Sequence, residues 1–189
     1  MRTKLFVTLS ALVMAFAGSV SQATPITCGD SARTATLDSA ESCVTSADTG
    51  STRNNPNASD IGAAFPLEPW TALGDVSVDI TSGSFGSNSV DLNWNLDSDI
   101  WSEWGELVVS IHVGRGQSNL SWFAWLITPF NTSGTLSYDR LSGGGGGFSN
   151  IKLWGRGEPT MSQVPEPASL FLLGLGLAGM GIARRKKAV

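Results

Sequence analysis

From Asp75 onward, large apolar side chains fall on every second position. Val76, Val78 and Ile80 alternate with Ser77, Asp79 and Thr81. Val90, Leu92, Trp94 and Leu96 alternate with Asp91, Asn93, Asn95 and Asp97. A period of two places the two sets on opposite faces of an extended chain, so each segment predicts a half-buried antiparallel strand. Leu107–Val113 reads as a third strand, and Leu120–Ile127, apolar on both faces, as one at the centre of a sheet. Ser133–Arg140 and Phe148–Trp154 complete the set. The connectors Ser82–Ser89, Gly114–Asn119, Thr128–Thr132 and Ser142–Gly147 are rich in Gly, Ser, Asn and Pro and suit hairpins. Within the last, Gly143–Gly147 reads as a flexible tip. No single motif repeats, which argues against a solenoid or propeller. The expected fold class is all-β, with one antiparallel β-sandwich or jelly-roll-like domain over residues 65–160.

Residues 24–64 lack this pattern. Thirteen of the 36 residues from Thr24 to Ser59 are Ser or Thr, and Arg53–Asn57 is a turn-type cluster. The segment is expected to be irregular, with a short helical turn near Leu37–Val44. It holds both cysteines, Cys28 and Cys43. In an exported chain an even pair predicts one disulfide, here lying outside the strands and closing a short loop. A two-thiol metal site would lack further ligands, because the only histidine is His112.

The two ends carry address signals. In residues 1–23, Arg2 and Lys4 precede the apolar run Leu5–Ala17, and Ser21-Gln22-Ala23 is a small-x-small cleavage site. This pattern predicts a signal peptide cut by signal peptidase after Ala23. At the other end, Ala168–Ala183 is 16 apolar and small residues without charge, followed at once by Arg184, Arg185, Lys186 and Lys187. As a helix it spans about 24 Å, and its basic end is expected to stay on the cytoplasmic side. Removing both ends leaves six basic against 15 acidic residues in 24–163, a net −9. So acidic a domain is a poor match for nucleic acid.

Val164-Pro165-Glu166-Pro167, then the Gly/Leu-rich apolar run, then the basic cluster at 184–187 resembles the PEP-CTERM sorting signal. The resemblance covers the last 26 residues, within a sorting tail bounded at 161–189, and says nothing of the middle of the chain. It implies a transmembrane sorting helix held in the membrane through residues 168–183, and a partner, the membrane-embedded cysteine peptidase exosortase, which cuts at or near Pro165–Pro167. It also implies an envelope that makes extracellular polysaccharide. The prolines keep residues 165–167 out of the helix, which leaves an extended segment open to a peptidase. Gly174, Gly176 and Gly179 match a dinucleotide-binding pattern, but inside an apolar membrane segment rather than after a strand, so no cofactor is expected there.

No nucleophile-elbow or H-E-x-x-H motif is present, and His112 on a strand is expected to be exposed or half-exposed. No catalytic residue is expected. Asn95, Asp97 and Asp99 place oxygen donors at alternate positions and are weak calcium candidates, lacking the glycine and glutamate of an EF-hand loop. Of the seven tryptophans, Trp101 and Trp104 fall in the acidic loop and are possible glycan contacts. The expected role is that of an exported protein, anchored in the inner membrane during sorting and then at the cell surface or in the extracellular matrix, structural or matrix-associated rather than catalytic. The alternatives are a carbohydrate-binding module and a glycan-active enzyme using carboxylates near 97–106, with extracellular polysaccharide as the partner. An exposed Trp pair favours binding; carboxylates facing across a cleft favour an enzyme; a closed sandwich favours structure.

Overall fold

All six expected strands are present, and four more precede them. The computed structural model describes residues 24–67, 69–114 and 120–159. In chain order these comprise β1 (Ile26–Gly29), β2 (Arg33–Leu37), β3 (Ala40–Thr45), α1 (Ser46–Thr49), α2 (Ala58–Ala64), β4 (Thr71–Asp75), β5 (Ser77–Ser82), β6 (Ser89–Asn95), β7 (Glu106–His112), β8 (Trp122–Ile127), β9 (Ser133–Arg140) and β10 (Asn150–Arg156). They form two antiparallel five-stranded sheets, ordered β1-β2-β9-β6-β5 and β3-β8-β7-β10-β4.

One core fills the space between the sheets. Leu37, Val90, Leu92, Trp94, Leu136 and Tyr138 of the first sheet meet Leu107, Val109, Ile111, Phe123, Trp125 and Ile127 of the second. The alternation read from the sequence is what makes this possible, because each strand commits one face to that layer. In the first sheet the other face is wet. Thr34 lies opposite Asp139, Thr36 opposite Ser137, and Ser137 opposite Asp91 across β2, β9 and β6.

The second sheet has no wet face over its middle. A second apolar layer joins Val108, Trp122, Ala124 and Trp154 on its outer side to Ile61 of α2, to Phe65 just past its end and to Trp70. This is why Leu120–Ile127 reads as apolar on both faces: Phe123 and Trp125 point into the inter-sheet core, while Trp122 and Ala124 lie under α2. Helix α2 starts at a reciprocal cap: Asn57 Oδ1 accepts from Asp60 N at 3.0 Å and Asp60 Oδ2 accepts from Asn57 N at 3.0 Å. It stops at Phe65, where Pro66 disfavours a further helical residue.

The expectation of an irregular 24–64 segment is corrected here. It supplies three strands and the helix that covers the outer layer, so the sandwich begins at β1 and not at residue 65. Burial alternates along Arg33–Leu37, with Arg33, Ala35 and Leu37 inside. Alanine and threonine make that alternation too weak to show as hydropathy, and the strand forms because β9 is there to pair with it.

The placement of the disulfide is likewise corrected. Cys28 and Cys43 are bonded, but within strands, Cys28 in β1 and Cys43 in β3. Those are edge strands of different sheets. At the other side, β4 runs into β5 through Val76 alone and so passes from one sheet to the other.

The Gly143–Gly147 run is not a free tip. Carbonyls of Gly145 and Gly146 accept from Arg140 Nη1, and Gly145 O also accepts from Arg33 Nη2 at 3.2 Å. A side chain on Gly147 would meet the Gly86 carbonyl at 2.1 Å, so glycine there permits two loops to touch backbone to backbone.

Candidate functional site

The 3₁₀ turn Ile100–Ser102 and the start of β7 bring the acidic loop to one end of the sandwich. There an open cleft of about 830 Å³ is lined by Leu67, Pro69, Trp104, Glu106, Arg156 and Glu158, among others. This volume lies within the range typical of small-ligand sites. The expected Trp101–Trp104 pair is divided by the fold. Trp101 is 6% exposed, donates from Nε1 to Asn131 O at 2.9 Å and packs against Phe130. Its expected part in glycan contact is therefore corrected: it is core. Trp104 is half-buried and lines the cleft.

Glycine makes room for Trp104. Gly155 is buried in β10, and a Cβ there would lie 2.6 Å from Trp104 Cδ2. The indole thus lies directly on the strand backbone. Gly105 crosses the chain near its exit: a Cβ there would meet the Glu158 carbonyl at 2.3 Å.

Arg156 is the main electrostatic feature of this end and was missed by sequence reasoning. It is 5% exposed. Its Nε donates to Glu106 Oε2, its Nη1 donates to Phe65 O at 2.7 Å and Pro66 O at 2.9 Å, and its guanidinium lies 4.3 Å from the centroid of Trp70. A single cation thus serves the two carbonyls that follow α2, a carboxylate and an aromatic face. The signal in the sequence is phase: Arg156 shares its parity with Trp154, on the face that α2 covers. Arg33, 1% exposed, shares parity with Ala35 and Leu37 in the same way.

Asn95, Asp97 and Asp99 are exposed. Asp97 Oδ1 accepts from Asp99 N at 3.1 Å, a local turn contact, and Asn95 lies on β6 opposite Ser77 and Ser133. Among the described residues no group of three or more His, Cys, Asp or Glu is placed to hold a metal ion. His112 is half-buried on β7 opposite Trp122. Burial, and then the positive charge of Arg33, hold its pKa below the usual histidine value. Ser110, one step before it on the same face, accepts from Trp154 Nε1 at 2.8 Å and is part of the outer layer. Asp91 stands on the wet face of the first sheet opposite Ser137, away from Glu106 on β7 of the second sheet.

Residues 1–23, Val164–Pro167, Ala168–Ala183 and Arg184–Lys187 lie outside the described residues. Within the described residues no helix is long and apolar enough to cross a membrane. The family model of the PEP-CTERM protein-sorting motif matches residues 163–187. That span takes in the Val164–Pro167 motif, the apolar run and the basic cluster. The motif marks the chain as an exported protein targeted to exosortase. No curated protein and no solved structure matches the chain.

Proposed function

We propose, taking as premise that exosortase sorts this chain to the cell exterior through its PEP-CTERM motif, that the β-sandwich is a structural, matrix-associated component. The observation that supports it is where the tryptophans are spent. Six of the seven are buried, in two stacked layers on the two faces of one sheet. Such large side chains dominate packing energy, at roughly 1.5–3 kcal/mol for a fully buried large apolar group. A bridge between the sheets adds to this at one edge. The wet face of the first sheet is a hydrated array of Thr, Ser, Asn and Asp. A durable body with a hydrated surface suits a component that persists outside the cell.

Delivery follows from chain length. Five residues separate Pro159 from Pro165. Even fully extended, that puts the processing motif within about 20 Å of the sandwich. Signal peptidase cleaves after Ala23, exosortase cleaves near Pro165–Pro167, and residues 24 to about 165 are released to the surface.

Two measurements test this. Intact mass of protein recovered from the cell surface should correspond to a chain starting at Thr24 and ending near Pro165–Pro167; recovery with Ala168–Val189 still attached would rule out the second cut. Cells making a chain that lacks residues 24–159 but keeps both end signals should form a matrix with lower resistance to shear. An unchanged matrix would remove the structural role while leaving the sorting intact.

A further inference from the structure

The cleft beside Trp104 is more than the matrix role requires, since a sandwich that binds nothing there could still serve in a matrix. We propose that it is a binding site for a polysaccharide bearing free amino groups, with Trp104 as the stacking platform and Glu106 and Glu158 as the charge partners.

Three observations converge. First, Trp104 is the one tryptophan of seven that is not buried, and it lines the cleft. Its position depends on Gly155, a glycine within a strand, where glycine weakens pairing and usually marks a close approach. An indole held against the backbone is rigid, so stacking a pyranose ring on it costs little side-chain entropy.

Second, the charge at this cleft is negative. Of the lining charges Arg156 is paired with Glu106 and donates to the carbonyls of Phe65 and Pro66, which leaves Glu158 as the uncompensated carboxylate and Glu106 as a partly exposed one beside it. Glu158 is exposed at the rim. Residues 24–163 as a whole carry a net −9. Uronate or sulfate groups are repelled by this field, whereas an ammonium is drawn to the carboxylates and can also sit over the indole face.

Third, the rim is apolar where a sugar's C–H faces would meet it. Leu67 is 92% exposed beside Pro69, at the mouth of the cleft. The cleft volume of about 830 Å³ accommodates several sugar rings rather than one.

The test uses the full chain solubilised in detergent and three probes: a glucosamine tetramer with free amines, its fully N-acetylated counterpart, and an oligogalacturonate of the same length. Binding is read by titration calorimetry and tryptophan fluorescence. The expected result is that the free-amine tetramer binds at least ten times more tightly than the acetylated one, that the galacturonate does not compete, and that added salt weakens binding. Trp104→Ala should abolish binding and Trp104→Phe should retain part of it. Glu158→Lys, an exposed change that leaves the fold undisturbed, should weaken the free-amine tetramer several-fold and the acetylated one little. Asp91→Asn, on the wet face of the other sheet, should change nothing. No binding of the amine probe, equal binding of amine and acetylated probes, or a loss on Asp91→Asn equal to that on Trp104→Ala would each overturn the proposal. None of these outcomes touches processing or matrix strength, so the two readings fail separately.

Discussion

Cys28 and Cys43 join the outermost strands of two different sheets, with Cα atoms 6.1 Å apart, so the bridge closes the sandwich along one side. The opposite side is closed by the chain itself, where β4 passes into β5. The bridge is backed by Trp125, whose Nε1 donates to Ile26 O at 3.1 Å and ties the second sheet to β1 near the cysteine.

Removing the bridge should therefore open a seam rather than loosen a loop. A Cys28→Ser, Cys43→Ser variant should lose up to about 3 kcal/mol, the expectation for a loop of this size. The separation is 15 residues. Urea denaturation measures the loss. Amide exchange locates it: protection should fall first in β1 and β3, while α2 and the outer layer hold. Exchange that rises uniformly across residues 24–64 would show that the seam is not where the bridge acts.

Arg156 should be worth more than its exposed neighbours. Replacing it with Met keeps much of the apolar stem but leaves the Phe65 and Pro66 carbonyls, which it serves in the fold, without their donor. Hydrogen bonds from a charged donor contribute about 1.5–3 kcal/mol each, and the exposure of Glu106 lowers the share due to the ion pair. The expected loss is about 3 kcal/mol, with faster exchange in α2. Arg156→Lys should recover little, because a single ammonium cannot reach the carbonyls and the carboxylate together. Chemical denaturation of the three proteins side by side checks the order.

His112 should make stability depend on pH on the acid side of neutrality. Its pKa is lowered in the native state, by burial first and by Arg33 second. Above about pH 6.5 both native and unfolded chains hold it neutral and nothing is lost. Below that, the unfolded chain takes up the proton more readily, so stability falls as the pH drops toward the lowered native value. His112→Gln removes this component. The urea midpoint of the native sequence should fall further between pH 8 and pH 5 than that of the variant; parallel curves would exclude His112 as a source of the dependence.

The legible part of this fold is the part written in large side chains. Leu, Val, Ile and Trp at alternate positions from 76 to 154 specify six strands because each such side chain must leave water on the same face. The first three strands are rich in Thr, Ala, Ser and Cys, which give little contrast between dry and wet positions, and pairing of β2 with β9, of β3 with β8 and of β1 with β2 decides the conformation. Trp101 and Trp104 are three residues apart in one acidic loop, and nothing local separates them. What does is Gly155, more than fifty residues later, which leaves Trp104 a seat at the cleft while Trp101 turns inward to Asn131 and Phe130. The buried arginines were hidden by composition. A charge is expected outside, and only their phase within β2 and β10 tells otherwise. The sorting tail, by contrast, is legible without any fold, since a peptidase reads residue order near a membrane rather than tertiary structure.

Gly155 gives the sharpest test of how the cleft end is built. A methyl group there would lie 2.6 Å from Trp104 Cδ2, 2.8 Å from Trp104 Cε3 and 2.9 Å from Leu73 Cδ1. Real carbon contacts are near 3.5–4.0 Å, so something must move by about an ångström. β10 cannot yield, because it pairs on both sides, with β7 and β4. Trp104 is only half-buried, so the added methyl group would displace it toward the cleft. Gly155→Ala should therefore destabilise by about 1–3 kcal/mol, the usual cost of overpacking. It should also shift tryptophan emission to longer wavelength as the indole gains water. A Trp104→Ala, Gly155→Ala double variant makes room for the methyl group, so the cost of the glycine substitution should shrink once the indole is gone. Additive losses in the double variant would mean that Gly155 is required by the strand itself, and that Trp104 is not seated on it.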